Sequence, residues 1–386
     1  MAKTKVLVVD DSAFMRKVIS DMITDDASLE VIGTARDGID ALEKVARLRP
    51  DVVTLDVEMP RKNGLETLRD LMQSHPVPVV MLSSMTQSGA QATMEALALG
   101  AIDFIPKPSG PISLDIEKVQ DELIRKIKAA ALARIQLVER VKDQPTLPKA
   151  RPTPRQAVPR EASLGQLVID IPKKAKAPRP PRPLVDVRPL RPDTIIAIGS
   201  STGGPRALET VISGFPPDLS AGVLVVQHMP AGFTRSMAER LDQICSIQVK
   251  EAEDGDRISA GVVYIAPGDY HMVVSSDGII RLNQAPPVNY VRPSVDVTLL
   301  SLPAVYSNQL VGVILTGMGK DGAAGMAKIK AQGGVTIVQD ERTSVIYSMP
   351  RAVVENGDAD YILPLDRIGD AAVQAATKLM QRVGKR

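Results

Sequence analysis

Two groups of residues in this 386-residue chain combine side-chain type and spacing in a way that supports chemistry. In the first group, short apolar runs each end in a polar side chain. Val6–Asp10 ends in Asp10-Asp11, Val52–Asp56 ends in Asp56, Val77–Ser84 ends in Ser83-Ser84, and Asp103–Ile105 leads to Lys107-Pro108. Three carboxylates brought to one edge repel each other unless a cation joins them, and all-oxygen ligands suit Mg²⁺. A hydroxyl and a lysine facing the same cluster could bind a phosphoryl group carried on one carboxylate. Taken singly, Asp10 and Asp11 could equally cap the following helix, and Lys107 could be a solvated neighbour.

The second group lies beyond residue 194. The apolar run Thr194-Ile-Ile-Ala-Ile-Gly199 enters Ser200-Ser-Thr-Gly-Gly-Pro205, which places Ser201 in a turn that opens a helix. Amides at a helix N-terminus favour negative charge, so a serine there is either a nucleophile beside an oxyanion site or a helix cap. The glycines fit neither G-x-x-x-x-G-K-[ST] nor G-x-G-x-x-G, so a nucleotide reading is weak. A serine nucleophile needs a base. His228 follows the apolar run Gly222-Val-Leu-Val-Val-Gln227, while His271 sits next to a hairpin, where a core or surface role is expected. Asp321, in Leu315-Thr-Gly-Met-Gly-Lys-Asp-Gly322, follows a third such run and could orient the imidazole or simply serve the turn. The order Ser201, His228, Asp321 and the missing G-x-S-x-G elbow set this group apart from the α/β-hydrolases.

These residues need elements to position them. Residues 1–110 alternate β-branched runs with amphipathic stretches such as Ser12–Thr24 and Gly38–Leu48, and a helix over about 113–140 carries the stripe Ile116, Val119, Leu123 and Ile127. The pattern predicts a doubly wound, flavodoxin-like α/β domain of five parallel strands, whose ligands sit at the carboxyl ends of the strands. The second half predicts another doubly wound, mostly parallel α/β domain. There, Val262–Ile265 and a hairpin turning at Asp277-Gly278 are expected to add antiparallel edges, and a helix over about 367–382 closes the chain.

Charge is segregated along the chain. Residues 1–143 carry a net −3, residues 144–193 a net +7 and residues 194–386 a net −2, and the middle stretch holds 12 of the 30 prolines. That stretch reads as an extended, flexible basic linker. It lacks the interleaved aromatics of a nucleic-acid-binding arm. The expected domains are therefore 1–125, with a helix continuing to about 142, a linker over 144–193, and 194–386. The single Cys245 excludes an internal disulfide framework, and one cysteine with three histidines excludes a multi-cysteine zinc site. No apolar run approaches the ~20 residues of a membrane span, and the first residues do not read as a signal peptide, so a cytoplasmic protein is expected.

Residues 3–125 resemble the response-regulator receiver family, through Val-Val-Asp10-Asp11-Ser, Leu55-Asp56-Val-Glu-Met-Pro-Arg-Lys-Asn-Gly64, Ser83 and Asp103-Phe-Ile-Pro-Lys107-Pro108. The resemblance implies that Asp56 accepts phosphate from a histidine kinase. It implies that Asp11, Asp56 and the carbonyl of Glu58 hold Mg²⁺ with Asp10 assisting, and that Ser83, Phe104 and Lys107 form the switch. Residues 194–384 resemble the catalytic domain of the chemotaxis protein-glutamate methylesterases (the CheB family). The matching motifs are Ile-Gly-Ser-Ser201-Thr-Gly-Gly-Pro, Val-Gln-His228-Met-Pro-Ala-Gly-Phe-Thr, Tyr264-Ile-Ala-Pro-Gly-Asp-Tyr-His271-Met, Val291-Arg-Pro-Ser-Val-Asp296 and Thr-Gly-Met-Gly-Lys-Asp321-Gly-Ala-Ala-Gly. This resemblance implies Ser201 as nucleophile, His228 as base and Asp321 as orienting acid, with the Met318 amide as oxyanion donor and Thr202 adjacent. Ser200 stands where relatives often carry Ala, so two hydroxyls neighbour each other.

Together the resemblances imply a phosphorylation-activated hydrolase of glutamate γ-methyl esters on chemoreceptor cytoplasmic helices, with deamidation of selected receptor glutamines. Hydrolysis is expected to need no cofactor, and the unphosphorylated receiver is expected to dock near the Ser201 cleft. Two other classes remain. A DNA-binding response regulator fits poorly with a C-terminal half of net −2 that lacks a helix-turn-helix. A binding adaptor with a degenerate site fits poorly with an intact Ser201, His228 and Asp321.

Overall fold

The computed structural model describes residues 2–107, 116–142 and 192–383. The predicted linker lies outside the described residues, apart from Pro192 and Asp193.

The N-terminal unit runs β1 (Thr4–Val9), α1 (Ala13–Thr24), β2 (Leu29–Ala35), α2 (Gly38–Leu48), β3 (Val52–Asp56), α3 (Gly64–Ser74), β4 (Val79–Ser83), α4 (Gln87–Leu99), β5 (Asp103–Pro106) and α5 (Ile116–Lys142). Its five strands are all parallel in the order β2-β1-β3-β4-β5. Helices cover both faces, so Val6 to Val9 of β1 and all of β3 and β4 are buried, as near-continuous apolar strands require. Leu123 and Ile127 of α5 enter the core that α1 shares with the sheet.

The C-terminal unit runs β6 (Ile195–Ser200), α6 (Gly204–Ile212), β7 (Gly222–Gln227), α7 (Phe233–Ile244), β8 (Gln248–Glu251), β9 (Val262–Ile265), β10 (His271–Val274), β11 (Ile280–Asn283), α8 (Val295–Ser301), α9 (Pro303–Tyr306), β12 (Leu310–Ile314), α10 (Ala323–Ala331), β13 (Val335–Gln339), α11 (Ser348–Glu355), β14 (Tyr361–Leu363) and α12 (Leu365–Val383). Seven strands form one parallel sheet in the order β14-β13-β12-β6-β7-β9-β8. One expectation is corrected here. β9 is not an antiparallel edge but an inner strand, parallel to β7 and to β8. Only β10 and β11 pair antiparallel, as a separate two-stranded ribbon.

The chain winds one way from β6 to β7 and the other way from β12 to β13. The crevice between β6 and β12 is therefore a topological switch point, where ligands of such sheets bind. In the N-terminal sheet the same reversal falls between β1 and β3. Each group of chemically suited residues thus sits at a switch point of its own sheet.

The two units pack together. Helix α4 lies against α7, and the Phe104 ring of β5 stacks on Phe233 with centroids 4.4 Å apart at 34°. Both rings are fully buried. Such a pair adds about 1 kcal/mol beyond its area burial. No described helix is long and apolar enough to cross a membrane.

Candidate functional site

In the N-terminal unit, one carboxylate oxygen each from Asp10, Asp11 and Asp56 lie within 4.8 Å of one another. Lys107 Nζ stands 2.9 Å from Asp10 Oδ2 and 2.7 Å from Asp56 Oδ2. Both Oδ2 atoms are buried, and despite that proximity neither takes a hydrogen bond of normal geometry. Burial pushes the Asp56 carboxyl up to about 6; Lys107 opposes the shift and the Asp10 charge adds to it. Two carboxylates hold Lys107 charged against its own burial. An all-oxygen set with excess buried negative charge fits a small hard cation.

Ser83 is not brought to this cluster. Its hydroxyl donates to Gly89 O at 3.0 Å and accepts from Thr93 Oγ1 at 2.7 Å, so it is tied to the start of α4. The Glu58 amide donates to Asp56 Oδ1 at 3.2 Å. The cap of α1 is Ser12, so the cluster carboxylates are free of that duty.

In the C-terminal unit, the turn after β6 gives α6 an N-cap at Gly203, in the left-handed region at φ 77° and with no side-chain cap. Ser201 is therefore not a cap. A Cβ on Gly203 would meet Val345 Cβ at 2.7 Å, which holds this turn tight. The two neighbouring hydroxyls separate cleanly. Ser200 is fully buried and donates to Gln227 Oε1 at 2.7 Å, whereas Ser201 is half-buried and lines a cleft of about 420 Å³. Among the described residues Ser201 Oγ takes no hydrogen bond, an arrangement common in ligand-free sites.

His228, just past β7, reaches the same cleft, and its Nε2 lies 2.8 Å from Asp321 Oδ2. Burial works against the Asp321 charge, but the His228 bond and charge, the Ser294 hydroxyl and the Asp296 amide hold the carboxyl down at about 2. The donors are Ser294 Oγ at 2.8 Å, Val295 N at 2.6 Å, Asp296 N at 3.1 Å and Asn289 Nδ2 at 3.0 Å. An ionised Asp321 can only accept, so the bond places a proton on His228 Nε2, and in the neutral imidazole the lone pair lies on Nδ1.

Asp321 thus closes the start of α8. In return, Asp296 of α8 accepts the Gly325 amide at 2.9 Å and closes the start of α10, so the two helices cap each other reciprocally. Burial and the nearby Asp321 charge push the Asp296 carboxyl up. His271 is fully buried behind this set, its Nδ1 accepting from the Ser294 amide at 3.2 Å, so of the surface and core roles open to it the structure gives the core one.

Met318 lies on the cleft lip, and among the described residues its amide has no partner. Thr202 does have one. Its hydroxyl donates to Asp103 Oδ2 of the N-terminal unit at 2.6 Å. Asp103 Oδ1 in turn accepts the Phe104 amide at 2.8 Å and lies 3.1 Å from Lys126 Nζ. Burial works against the Lys126 charge, but Asp103 and Glu122 raise its pKa. Asp103, Glu122, Arg125 and Lys126 form one wall of the cleft that contains Ser201 and His228.

Sequence reasoning missed Asp103, Lys126, Asn289 and Ser294 as members of the site. Asp103 and Ser294 stand inside the motifs quoted above, and that placement was the only signal they carried.

A doubly wound domain with a cation-ready acid cluster, packed over the Ser-His-Asp cleft of a second α/β domain, defines a class: a hydrolase that carries its own receiver. A family model described as CheB methylesterase matches residues 196–372, and one described as response regulator receiver domain matches residues 6–117. The protein-glutamate methylesterase/protein-glutamine glutaminase of Pyrococcus horikoshii is 48% identical over 377 residues, covering 97% of this chain and 94% of its own. That of Symbiobacterium thermophilum is 51% identical over 372 residues, covering 96% of each chain. Among solved structures, the catalytic domain of Thermotoga maritima CheB methylesterase is 46% identical with a TM-score of 0.46, covering 47% of this chain and 97% of that one. The chain belongs to the CheB family of protein-glutamate methylesterase/protein-glutamine glutaminase enzymes, hydrolases of chemotaxis signalling fused to a response-regulator receiver domain.

Proposed function

We propose that this protein removes methyl groups from glutamate γ-methyl esters on chemoreceptor cytoplasmic helices, deamidates selected receptor glutamines, and is switched on by phosphorylation of Asp56. The observation that carries the reading is His228 Nε2 at 2.8 Å from an ionised Asp321, beside a half-buried Ser201, in a cleft whose other wall is the receiver.

Ser201 Oγ attacks the γ-carbonyl carbon while its proton passes to His228 Nδ1, and Asp321 stabilises the imidazolium. The Met318 amide, with Thr202 beside it, faces the developing oxyanion. Collapse expels methanol, which takes its proton from the imidazolium, and water then releases the acid by the same steps in reverse. A glutamine substrate loses ammonia instead.

For control, a histidine kinase would supply the phosphoryl group to Asp56. Bound Mg²⁺, held by Asp11, Asp56 and the Glu58 carbonyl with Asp10 assisting, would neutralise charge during that transfer. Ser83 would leave Gly89 O to meet the phosphoryl group, joined by Lys107. Strand β5 carries both Phe104 and Asp103, so a shift there would unstack Phe233 and release the Thr202 hydroxyl from Asp103. The test is methanol release from methylated receptor membranes, by wild type and Ser201→Ala, with and without acetyl phosphate and Mg²⁺. Release that depends on Ser201 and rises with the phosphodonor is expected. Release that survives Ser201→Ala would overturn the assignment.

A further inference from the structure

The segment between β11 and α8 contains a hairpin turn that works against its own sequence. Val288 and Val291 exchange two backbone hydrogen bonds of 3.1 Å each, leaving Asn289 and Tyr290 as the two turn residues. Both have positive φ, 53° and 65°, the combination of a type I′ turn. Asparagine tolerates that region, and glycine is the favoured second residue. A tyrosine there is strained by its Cβ. Nothing in the fold recovers the cost, because Tyr290 is 93% exposed, the most exposed large apolar side chain among the described residues.

The turn is nonetheless held firmly. Asn289 Nδ2 donates to Asp321 Oδ1 at 3.0 Å and to Asp296 Oδ2 at 3.3 Å. On the far side, Arg292 donates to Gln284 O at 2.9 Å and Ala285 O at 3.0 Å. Tyr290 is therefore registered, through one neighbouring residue, to the carboxylate that orients His228. It lines the same cleft as Ser201, and Met318 offers a second exposed apolar side chain there. A strained residue that is over-determined by its surroundings and unused by the fold marks a functional position. A tyrosine there offers a large amphipathic surface with only two side-chain torsions to freeze.

We propose that Tyr290 is a specificity-determining residue that packs on the helical surface of the protein substrate beside the esterified side chain. This rests on the methylesterase reading given above. A free ester or a short peptide reaches Ser201 without spanning the cleft lip, whereas a folded receptor must lie across it. Tyr290 therefore acts on recognition of the protein and not on the chemical step.

The test measures kcat and KM for methanol release from methylated receptor membranes, and from a short peptide bearing one glutamate γ-methyl ester. Tyr290→Gly and Tyr290→Asn both suit positive φ, so neither threatens the fold, and Tyr290→Gly is expected to melt no lower than wild type. Both variants should raise KM for receptor membranes fivefold or more while kcat stays within twofold, with peptide kcat/KM within twofold. Tyr290→Phe should retain the wild-type KM. An unchanged receptor KM in both variants overturns the proposal. So does an equal loss on receptor and peptide, which would mean the turn acts through the His228–Asp321 pair. If wild type itself releases no methanol from receptor membranes, the methylesterase reading falls and this role with it.

Discussion

The two chemical centres of this chain are built on the same plan and tuned in opposite directions. Each lies at the switch point of a parallel sheet, and each places a buried aspartate at its centre. Asp56 is pushed up to about 6, and Asp321 is held down at about 2. Burial opposes the charge at both, so the difference lies in the donors. Asp56 has one amide at 3.2 Å and one lysine shared with Asp10, whereas Asp321 has an imidazole, a hydroxyl, a carboxamide and two helix-terminal amides. A carboxylate left short of donors suits a cation and a phosphoryl group. One saturated with donors can only orient its neighbour.

The sharpest way to break this contrast is to remove the reacting groups. Ser201→Ala or His228→Gln should lower kcat by about 10⁶-fold, and Asp321→Asn by about 10⁴-fold because it orients and does not react. The triple variant should be little worse than Ser201→Ala alone, as steady-state methanol release would check. Near-wild-type turnover in Ser201→Ala with none in Ser200→Ala would reverse the assignment of the two hydroxyls.

Next in size is the contact between the centres. Asp103→Ala removes a charge-assisted acceptor from Thr202, a bond of about 1.5–3 kcal/mol. The unphosphorylated full-length enzyme should then turn over roughly tenfold faster, and acetyl phosphate should stimulate it less than it does wild type. Asp56→Asn should do the reverse, keeping the basal rate and losing all stimulation. An Asp103→Ala enzyme no faster than wild type would remove docking as the source of inhibition.

The same contrast also shows in stability, where no rate is read. A carboxyl raised from 3.8 to about 6 binds its proton more tightly when folded, so it lowers stability progressively as pH rises from about 4 to 6. The full effect at neutral pH is on the order of 3 kcal/mol. Thermal melts at pH 7 without divalent ions should therefore place Asp56→Asn above wild type. Added Mg²⁺ should raise the wild-type Tm and leave that of Asp56→Asn in place. Asp321, lowered to about 2, has the opposite sign: its contribution is present above about pH 4 and is lost as pH falls toward 2. Acid melts of wild type and Asp321→Asn should converge only as pH falls to about 2.

What was legible in the sequence follows from this geometry. Asp10, Asp56, Ser201 and His228 each stand at or within two residues of the end of an apolar run, and in a doubly wound sheet such runs end at the same edge. The direction of β9 was not legible. Its partner β8 is the short polar run Gln248-Val-Lys-Glu251, which no apolar pattern marks as a strand. Nor was the rest of the cleft. Asp103 and Thr202 are 99 positions apart in different domains, and hydrophobic periodicity carries no information about a single hydroxyl meeting a carboxylate. Ser83 stands at the end of β4, but the bonds of its hydroxyl to Gly89 O and Thr93 Oγ1 are local side-chain detail that no apolar run marks. Tyr290 has no signal in composition or spacing. Its positive φ combined with its exposure sets it apart, and neither is written in the sequence.

The reciprocal capping of α8 and α10 also limits what a phosphoryl group on Asp56 could alter. Asp321 cannot swing away from His228 without uncapping α8, and through Asp296 it is tied to the start of α10 as well. The acid–base pair is therefore a fixed part, and inside the cleft the receiver meets Thr202 and supplies the outer wall. In kinetic terms, the resting and activated enzymes should share one pH–rate curve, with its inflections in the same places and only its height rescaled.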